Sequence, residues 1–245
     1  MTVDLVAAIH IGERSYYEEL NRRFAAYDAV LFELVAPEDF RVPEGARLDS
    51  QSGIGFMQKA LQNLLGLEYQ LHCVDYSKKN FVHADVSPEE LAELMQKRGE
   101  SFVMIFWKLL QHSFEKLEKE AKGELPRSKR PSDWALLMAL LRQDRVVLKR
   151  TLAEEMTGMD EALAAISAED GSSTIITERN KKALEVLRRQ IQEGKRNLAI
   201  FYGAGHMPDI EARLEQEFRA RRIGVEWLVA WDLTADHSRA ARGAR

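Results

Sequence analysis

Near the N-terminus, two short and uninterrupted apolar runs flank a segment with helical periodicity. The runs are VDLVAAIHI (residues 3–11) and AVLFELV (29–35), and Leu20, Phe24 and Tyr27 recur between them at helical spacing. Short apolar runs with little polar alternation are typical of strands that are covered on both faces of a parallel sheet. The pattern therefore predicts a βαβ unit at the start of the chain.

The C-terminal part repeats this plan. RNLAIFYGAGH (196–206) reads as a strand that ends in glycines and a histidine, MPDIEARLEQEFRARR (207–222) as an amphipathic helix, and VEWLVAWDL (225–233) as another strand. Both units place a histidine just past their first strand. An internal duplication would explain this, and so would the general similarity of βαβ units.

The segment between the two units is predicted to be one further strand followed by helices. EYQLHCVDY (68–76) has the composition of a third strand, in which His72 packs and the single cysteine, Cys73, is a small buried residue. Ser87, followed by proline and two glutamates, forms a capping box and predicts a helix after it. Residues 87–170 are accordingly interpreted as a large helical insertion.

A final long helix precedes the C-terminal unit. Thr177 is predicted to cap it, which places Arg179 and Asn180 in its first turn, and Gly194 ends it. The tail, residues 235–245, has no apolar periodicity and is expected to be frayed. The chain is thus predicted to be a single α/β domain over residues 1–245, with a central, mainly parallel sheet built from the two βαβ units.

Composition and charge narrow the possible partners. The chain carries 35 Lys and Arg against 39 Asp and Glu, a net charge of −4 that gives no electrostatic reason to expect nucleic-acid binding. No uncharged apolar run approaches the roughly 18–20 residues that span a bilayer. The start of the chain has no basic region before its apolar run, so a cytoplasmic location is expected.

Four ionisable side chains stand at the predicted carboxyl ends of strands, where ligands bind to open α/β sheets: His10, Glu33, Asp75 and His206. Two imidazoles and one or two carboxylates suit a divalent metal such as zinc, manganese or cobalt, with positions left for water and substrate. Such a metal makes hydrolysis the natural reaction. His83 and Asp85, which precede the capped helix, are second-rank candidates.

Each of these residues also has a purely structural interpretation. His10 could be a strand-end histidine bonded to a carbonyl, and Glu33 could form a salt bridge with Arg179. Without a metal, a histidine and glutamate pair could act as general base and orienting group. The chain contains no complete dinucleotide or P-loop motif, no H-E-x-x-H and no G-x-S-x-G.

Three stretches of the sequence carry a resemblance to a known family: AAIHIGERSYYEEL with the following AVLFELV, then ITERNKKALEVL, and finally AIFYGAGHMPDIEARL. They resemble the TraB/PrgY/TIKI superfamily, which is related more distantly to the erythromycin-esterase and ChaN-like folds. The family has two G-x-x-H motifs, a glutamate after the second strand and an arginine-asparagine pair that opens a late helix. GAGH satisfies the second motif, whereas AAIH has Ala7 in place of the first glycine.

The resemblance implies that the family's site corresponds here to His10, Glu33, Arg179, Asn180 and His206. It also implies a metal-dependent hydrolase that acts on a peptide or another amide or ester bond. His10, Glu33 and His206 would hold the metal, Arg179 would stabilise negative charge that develops on the substrate, and Asn180 would orient the substrate or a metal ligand.

Two other functions fit the same residues or the same chain. A non-catalytic protein that sequesters a peptide, a metal or haem would use the same side chains without turnover, as ChaN-like relatives suggest. A helical interaction module would instead use residues 87–170 as its working surface.

Overall fold

The computed structural model of the chain describes residues 1–37, 40–42, 64–97, 99, 133–154 and 174–234. Much of the predicted insertion and the predicted frayed tail lie outside the described residues, so both remain predictions. No helix in the described part of the chain is long and apolar enough to cross a membrane.

The described chain is an α/β protein with a four-stranded, wholly parallel sheet, as the sequence predicted. The sheet has the order β1-β6-β3-β5. Its strands are β1 (Thr2–Ala8), β3 (Ala29–Phe32), β5 (Phe81–His83) and β6 (Asn197–Gly203). A separate antiparallel pair joins β2 (Ile11–Gly12) to β4 (Glu68–Tyr69). The C-terminal strand β6 thus lies between the two strands of the N-terminal unit.

Helices surround the sheet. They are α1 (Arg14–Phe24), α2 (Gln70–Cys73), α3 (Pro88–Lys97), α4 (Asp133–Arg142), α5 (Arg179–Gln192) and α6 (Met207–Phe218), and residues 145–154 are also helical. The capping box before α3 is confirmed, because the Ser87 amide donates to Glu90 at 2.8 Å and the Glu90 amide donates to the Ser87 hydroxyl at 3.1 Å.

The alternation of side chains along β6 builds a core on each face of the sheet. Ala199 and Phe201 pack with α1, whereas Leu198, Ile200 and Tyr202 face α5 and α6. All five are essentially inaccessible to water. This two-sided burial explains why the strand reads as an uninterrupted apolar run.

The prediction of a strand over residues 68–76 was wrong. Only Glu68 and Tyr69 form a strand, and they pair with β2 rather than with the main sheet. The chain then curls into α2, with the Gln70 amide bonded to the carbonyl of His10. His72 therefore lies in a short helix and not in a strand.

The third strand of the main sheet is instead β5, which follows Asn80. The Asn80 side-chain amide donates to the carbonyls of Phe24 and Tyr27, and the Asn80 carbonyl accepts the amide of Val30. These bonds hold the start of β5 against β3. With only three residues, β5 is too short to give a periodic signal in the sequence.

The predicted strand over residues 225–233 is also absent from the sheet. Leu228 and Ala230 pack against the core, while the segment is tied down by an ion pair from Arg23 to Glu226 and by a bond from the Glu13 amide to the carbonyl of Ala230. These are isolated contacts and not a ladder of backbone hydrogen bonds. Because β1 and β3 already pair with the two sides of β6, no second strand of the C-terminal unit can lie beside β6.

The start of the last long helix also differs from the prediction. A five-residue π-helical turn, Thr174–Glu178, runs directly into α5, so Thr177 lies inside the helical region and does not cap it. Arg179 and Asn180 are the first residues of the regular α-helix, and both are buried. Short π-helical turns are frequent at functional sites because they redirect side chains.

Candidate functional site

The order of the strands brings three chain segments together at one rim of the sheet. Glu33 directly follows β3, Asp85 lies two residues beyond β5, and His206 ends a single 3-10 turn after β6. Because β6, β3 and β5 are parallel neighbours, their carboxyl ends meet at the same edge. Residues far apart in the sequence therefore share one small, largely buried volume.

Three charged side chains, Arg179, Glu33 and Asp85, form a largely buried ionic cluster on one side of this rim. The Arg179 guanidinium donates to Glu33 Oε1 at 2.7 Å and, through two nitrogens, to the Asp85 carboxylate at 2.9 and 2.5 Å. The Asp85 side chain has no exposed surface, and only 10% of the Arg179 side chain is exposed. The carboxylate expected beside Arg179 is thus Glu33, with Asp85 as a second partner.

This arrangement leaves one negative charge uncompensated. Burial alone would raise the pKa of Glu33, but the nearby Arg179 charge and the amide of Gly203 lower the pKa below its usual value. Burial disfavours the charged guanidinium, yet its hydrogen bonds to Asp85 and the charge of Glu33 still raise the pKa of Arg179. One buried guanidinium therefore faces two carboxylates.

Gly203 approaches Glu33 closely from the end of β6. Its amide donates to Glu33 Oε2 at 2.7 Å, and a Cβ atom added at this position would lie 3.3 Å from the same oxygen. A side chain here would crowd the carboxylate and strain the bond. The first glycine of the GAGH motif thus has a direct steric explanation, although the residue makes its contact through the backbone.

A second chain of hydrogen bonds orients His206. Its Nδ1 lies 2.7 Å from Asn180 Oδ1, and the Asn180 amide nitrogen donates to Asp209 Oδ2 at 2.8 Å and to the His206 carbonyl at 3.3 Å. The opposite orientation of the amide would place its oxygen against the Asp209 carboxylate, which is repulsive. Asp209, itself paired with Arg213 at 2.8 Å, therefore fixes which way Asn180 faces.

The orientation of Asn180 sets the tautomer of His206. Since Asn180 presents an acceptor to Nδ1, that nitrogen carries the proton. Burial lowers the pKa of His206, although the Glu33 charge opposes this, so the ring is neutral at neutral pH. Its Nε2 then exposes a lone pair toward Glu33 Oε1, which lies 3.5 Å away.

Two acceptor atoms thus face each other next to an uncompensated negative charge. Two ligands that each lie about 2.0–2.2 Å from a tetrahedral zinc ion are separated by roughly 3.3–3.6 Å. The Nε2 to Oε1 distance and the charge both fit a divalent cation. Among the described residues, however, no three His, Cys, Asp or Glu side chains are grouped as a complete metal site.

His10 occupies a different environment from His206. It lies at the bend between the edge strand β1 and the short strand β2, and it is exposed. Its charge contributes to lowering the pKa of Glu33, so the two side chains are within electrostatic range. The structure therefore brings Glu33, Asn180, Arg179 and His206 into direct contact, whereas His10 stays exposed on the connection after β1.

Asp75 does not belong to this rim, contrary to the prediction. It is exposed, and its carboxylate accepts bonds from the amide and the hydroxyl of Ser77, at 3.2 and 2.6 Å. Because the chain forms α2 instead of a third strand, Asp75 caps a turn. Asp85, which follows the actual third strand, occupies the corresponding place at the rim.

His83 lies at the end of β5 but makes a structural contact. Its Nε2 is 2.6 Å from the carbonyl of Leu34, and its ring packs 5.7 Å from the ring of Phe32. These bonds join the ends of β3 and β5. His83 thus supports the segment that carries Asp85.

Sequence reasoning missed Asp209 as part of the site. An aspartate in the first turn of a helix has an ordinary explanation in the helix dipole, which hides any further role. Its position three residues after His206 was the available signal, because α6 starts there and turns the carboxylate back toward the rim.

Comparison of the chain with family models, with curated proteins and with solved structures finds no match in any of the three.

Proposed function

We propose that this chain is a metal-dependent hydrolase that acts on a peptide or on another amide or ester bond. The observation that carries the proposal is the pair of acceptor atoms, His206 Nε2 and Glu33 Oε1, that face each other at 3.5 Å within a buried group of net negative charge. A divalent cation would satisfy both atoms and balance the charge. The resemblance of the sequence to the TraB/PrgY/TIKI superfamily supports the same reading.

His206 and Glu33 would hold the cation, with His10 as the third protein ligand from the exposed side. Zinc, manganese and cobalt all accept imidazole nitrogen together with carboxylate oxygen. When bound, the metal would supply Lewis acidity and lower the pKa of a water toward neutrality. The exposure of His10 leaves that face open to substrate and solvent.

The other residues of the rim would prepare the site for chemistry. Arg179 holds the Glu33 carboxylate in place and brings positive charge toward the position where a substrate oxyanion would develop. Asn180 keeps His206 in the tautomer whose Nε2 is free to bind a metal. The deeply buried Asp85 holds Arg179 itself, which makes it a positioning residue.

The test combines metal content with turnover. Protein purified without chelator is analysed for bound metal, then assayed against a peptide library before and after chelator treatment, with each metal added back. The proposal expects chelation to abolish cleavage and zinc, manganese or cobalt to restore it. Activity should also fall in mild acid, since protons compete with the metal for the imidazoles.

Full turnover in chelator-treated protein would instead favour a metal-free mechanism in which His206 and Glu33 act as base and orienting group. The matched control is His237→Ala, in the tail, which should leave metal content and turnover unchanged.

A non-catalytic binding protein is the second candidate. One specific observation favours it: among the described residues, the buried acceptor pair has no third metal ligand in direct contact. A protein that sequesters a peptide, a metal or haem would need only such a partial site. Retention of metal or ligand together with an intact peptide library would select this function over hydrolysis.

A further inference from the structure

The backbone on both sides of His10 is bonded to separate elements of the fold. Each carbonyl of residues 9–11 accepts a hydrogen bond, and the donors are, in order, the hydroxyl of Tyr17 in α1, the amide of Gln70 in α2 and the indole of Trp231. The three distances are 2.9, 2.8 and 2.6 Å. Connections at a protein surface often satisfy such groups with water instead. The backbone that carries the exposed His10 is therefore held by the protein itself.

The same connection is held again at Glu13, just before α1. Glu13 Oε1 accepts a bond from the Lys149 ammonium at 2.6 Å and one from the amide of Asp232 at 2.9 Å. The Glu13 amide donates to the carbonyl of Ala230 at 2.9 Å. We call Glu13, Lys149 and residues 230–232 the Glu13 anchor. It joins the connection after β1 to the helix over residues 145–154 and to the segment after α6.

Lys149 is the buried charge of this anchor. Only 5% of its side chain is exposed, and 16% of the Glu13 side chain. Burying an ammonium group is unfavourable unless it is paired, so Lys149 favours the position of Glu13 in which the two groups meet. The nearby pair of Arg14 and Glu68 differs, because 68% of the Arg14 side chain is exposed and water competes for it. Lys149 is thus the stronger restraint on this connection.

We propose that Lys149 is a positioning residue for His10. Through Glu13, it fixes the backbone of the connection after β1, so that only the His10 side chain has to be ordered when the imidazole binds a metal. A ligand on a fixed backbone loses less conformational freedom on binding, and the metal is bound more tightly. The inference rests on the proposed metal site, because Lys149 acts on that site only through His10.

A double-mutant cycle on zinc affinity tests whether Lys149 acts through His10. Lys149→Met should weaken zinc binding roughly three- to tenfold, and no more than His10→Ala does, because the effect passes through that one ligand. In the His10→Ala chain, Lys149→Met should have no further effect. Titration against a chelating dye gives the four affinities. The matched control is Arg14→Met, which removes an exposed charge from the same connection and should leave zinc affinity unchanged.

Amide hydrogen exchange of the chelator-treated protein tests the anchor without metal. The amides of Glu13, Gln70 and Asp232 are each bonded across the connection. In Lys149→Met they should exchange on the order of tenfold faster than in the parent, whereas the amides of β6 should keep the parental rate. Because Glu13 is partly exposed, water can solvate its carboxylate once Lys149 is lost, so the parental circular dichroism should be retained.

Trp231→Phe is a milder second variant. It keeps an aromatic ring but removes the indole donor to the carbonyl of Ile11. Exchange at the Gln70 amide should rise by a smaller factor than in Lys149→Met, and zinc affinity should fall by about twofold, again only when His10 is present.

Three results would overturn the proposal. They are parental exchange at these amides in Lys149→Met, an unchanged zinc affinity in Lys149→Met, and a loss of affinity that Lys149→Met causes equally in the His10→Ala chain. A parent chain that binds no zinc, manganese or cobalt would remove the metal role of His10, and with it this role of Lys149. Faster exchange in metal-free Lys149→Met would then still show that the anchor holds the connection, so the two failures are distinguishable.

Discussion

The two histidines that follow the first strands of the N- and C-terminal units have different surroundings. His206 ends the 3-10 turn that follows β6, an inner strand of the sheet, is 5% exposed, and is bonded to Asn180. His10 lies at the bend after the edge strand β1 and is exposed. Similar local sequences thus produce one rigid, neutral imidazole and one that faces solvent. Position in the strand order, and not the local motif, decides how far a side chain is preorganised.

The largest expected effect concerns the buried ionic cluster of Arg179, Glu33 and Asp85. Arg179→Met should lower the free energy of unfolding by about 3–5 kcal/mol, because it leaves the inaccessible Asp85 carboxylate without its counter-charge. Arg14→Met, which breaks the pair with Glu68 where Arg14 is 68% exposed, should cost less than about 1 kcal/mol. Urea denaturation of chelator-treated protein measures both. If both variants lose the same free energy of unfolding, the buried cluster contributes no more to stability than the exposed pair.

The second prediction compares the two histidines directly. His206→Ala should weaken zinc binding on the order of 100-fold or more, since it removes a ligand that is already fixed in geometry and tautomer. His10→Ala should weaken it by only about tenfold, because an exposed ring must first be ordered, which costs part of the binding free energy. Titration against a chelating dye gives both affinities. A larger loss for His10→Ala would reverse the comparison.

A third variant tests whether the network around His206 matters as much as the ligand. Asp209→Asn removes the carboxylate that fixes the Asn180 amide, so it should weaken zinc binding by about tenfold while leaving the fold intact. Asp75→Asn is the control, since Asp75 only caps an exposed turn. The same dye titration applies. If both variants bind zinc like the parent, Asp209 does not control the tautomer.

The smallest effect is expected in the dependence of stability on pH. Burial lowers the pKa of His206 in the folded chain below the usual 6.5, so between these two values the unfolded chain binds a proton that the folded chain does not. The free energy of unfolding of the metal-free protein should therefore fall as pH drops below 6.5, by at most about 1.4 kcal/mol per pH unit.

His206→Ala should remove this part of the slope, whereas His10→Ala should retain it. A second decrease belongs to Glu33. Because its pKa is lowered from 4.5, its contribution is present above 4.5 and is lost as pH falls through the lower, folded value. Urea denaturation at a series of pH values separates the two decreases, and a parental slope in His206→Ala would contradict the assignment.

Much of the fold could be predicted from local sequence patterns. The uninterrupted apolar runs around Leu31 and Ile200 indicate strands that are covered on both faces, and the capping box at Ser87 marks the start of a helix. Glu33 and His206 were selected because they directly follow such strands. These features depend on side-chain periodicity and on the end of an apolar run, and both are properties of neighbouring residues.

Other features were decided only by the tertiary structure. The apolar segment 225–233 has a strand composition, but the sheet order gives it no neighbour. From the sequence, Asp75 closes a predicted strand and Asp85 is only a second-rank candidate, and it is the pairing of β5 with β3 that brings Asp85 to Arg179. The role of Asp209 follows from the direction in which α6 leaves His206. Strand order, burial and the compensation of charge arise from contacts between distant segments, and local composition does not determine them.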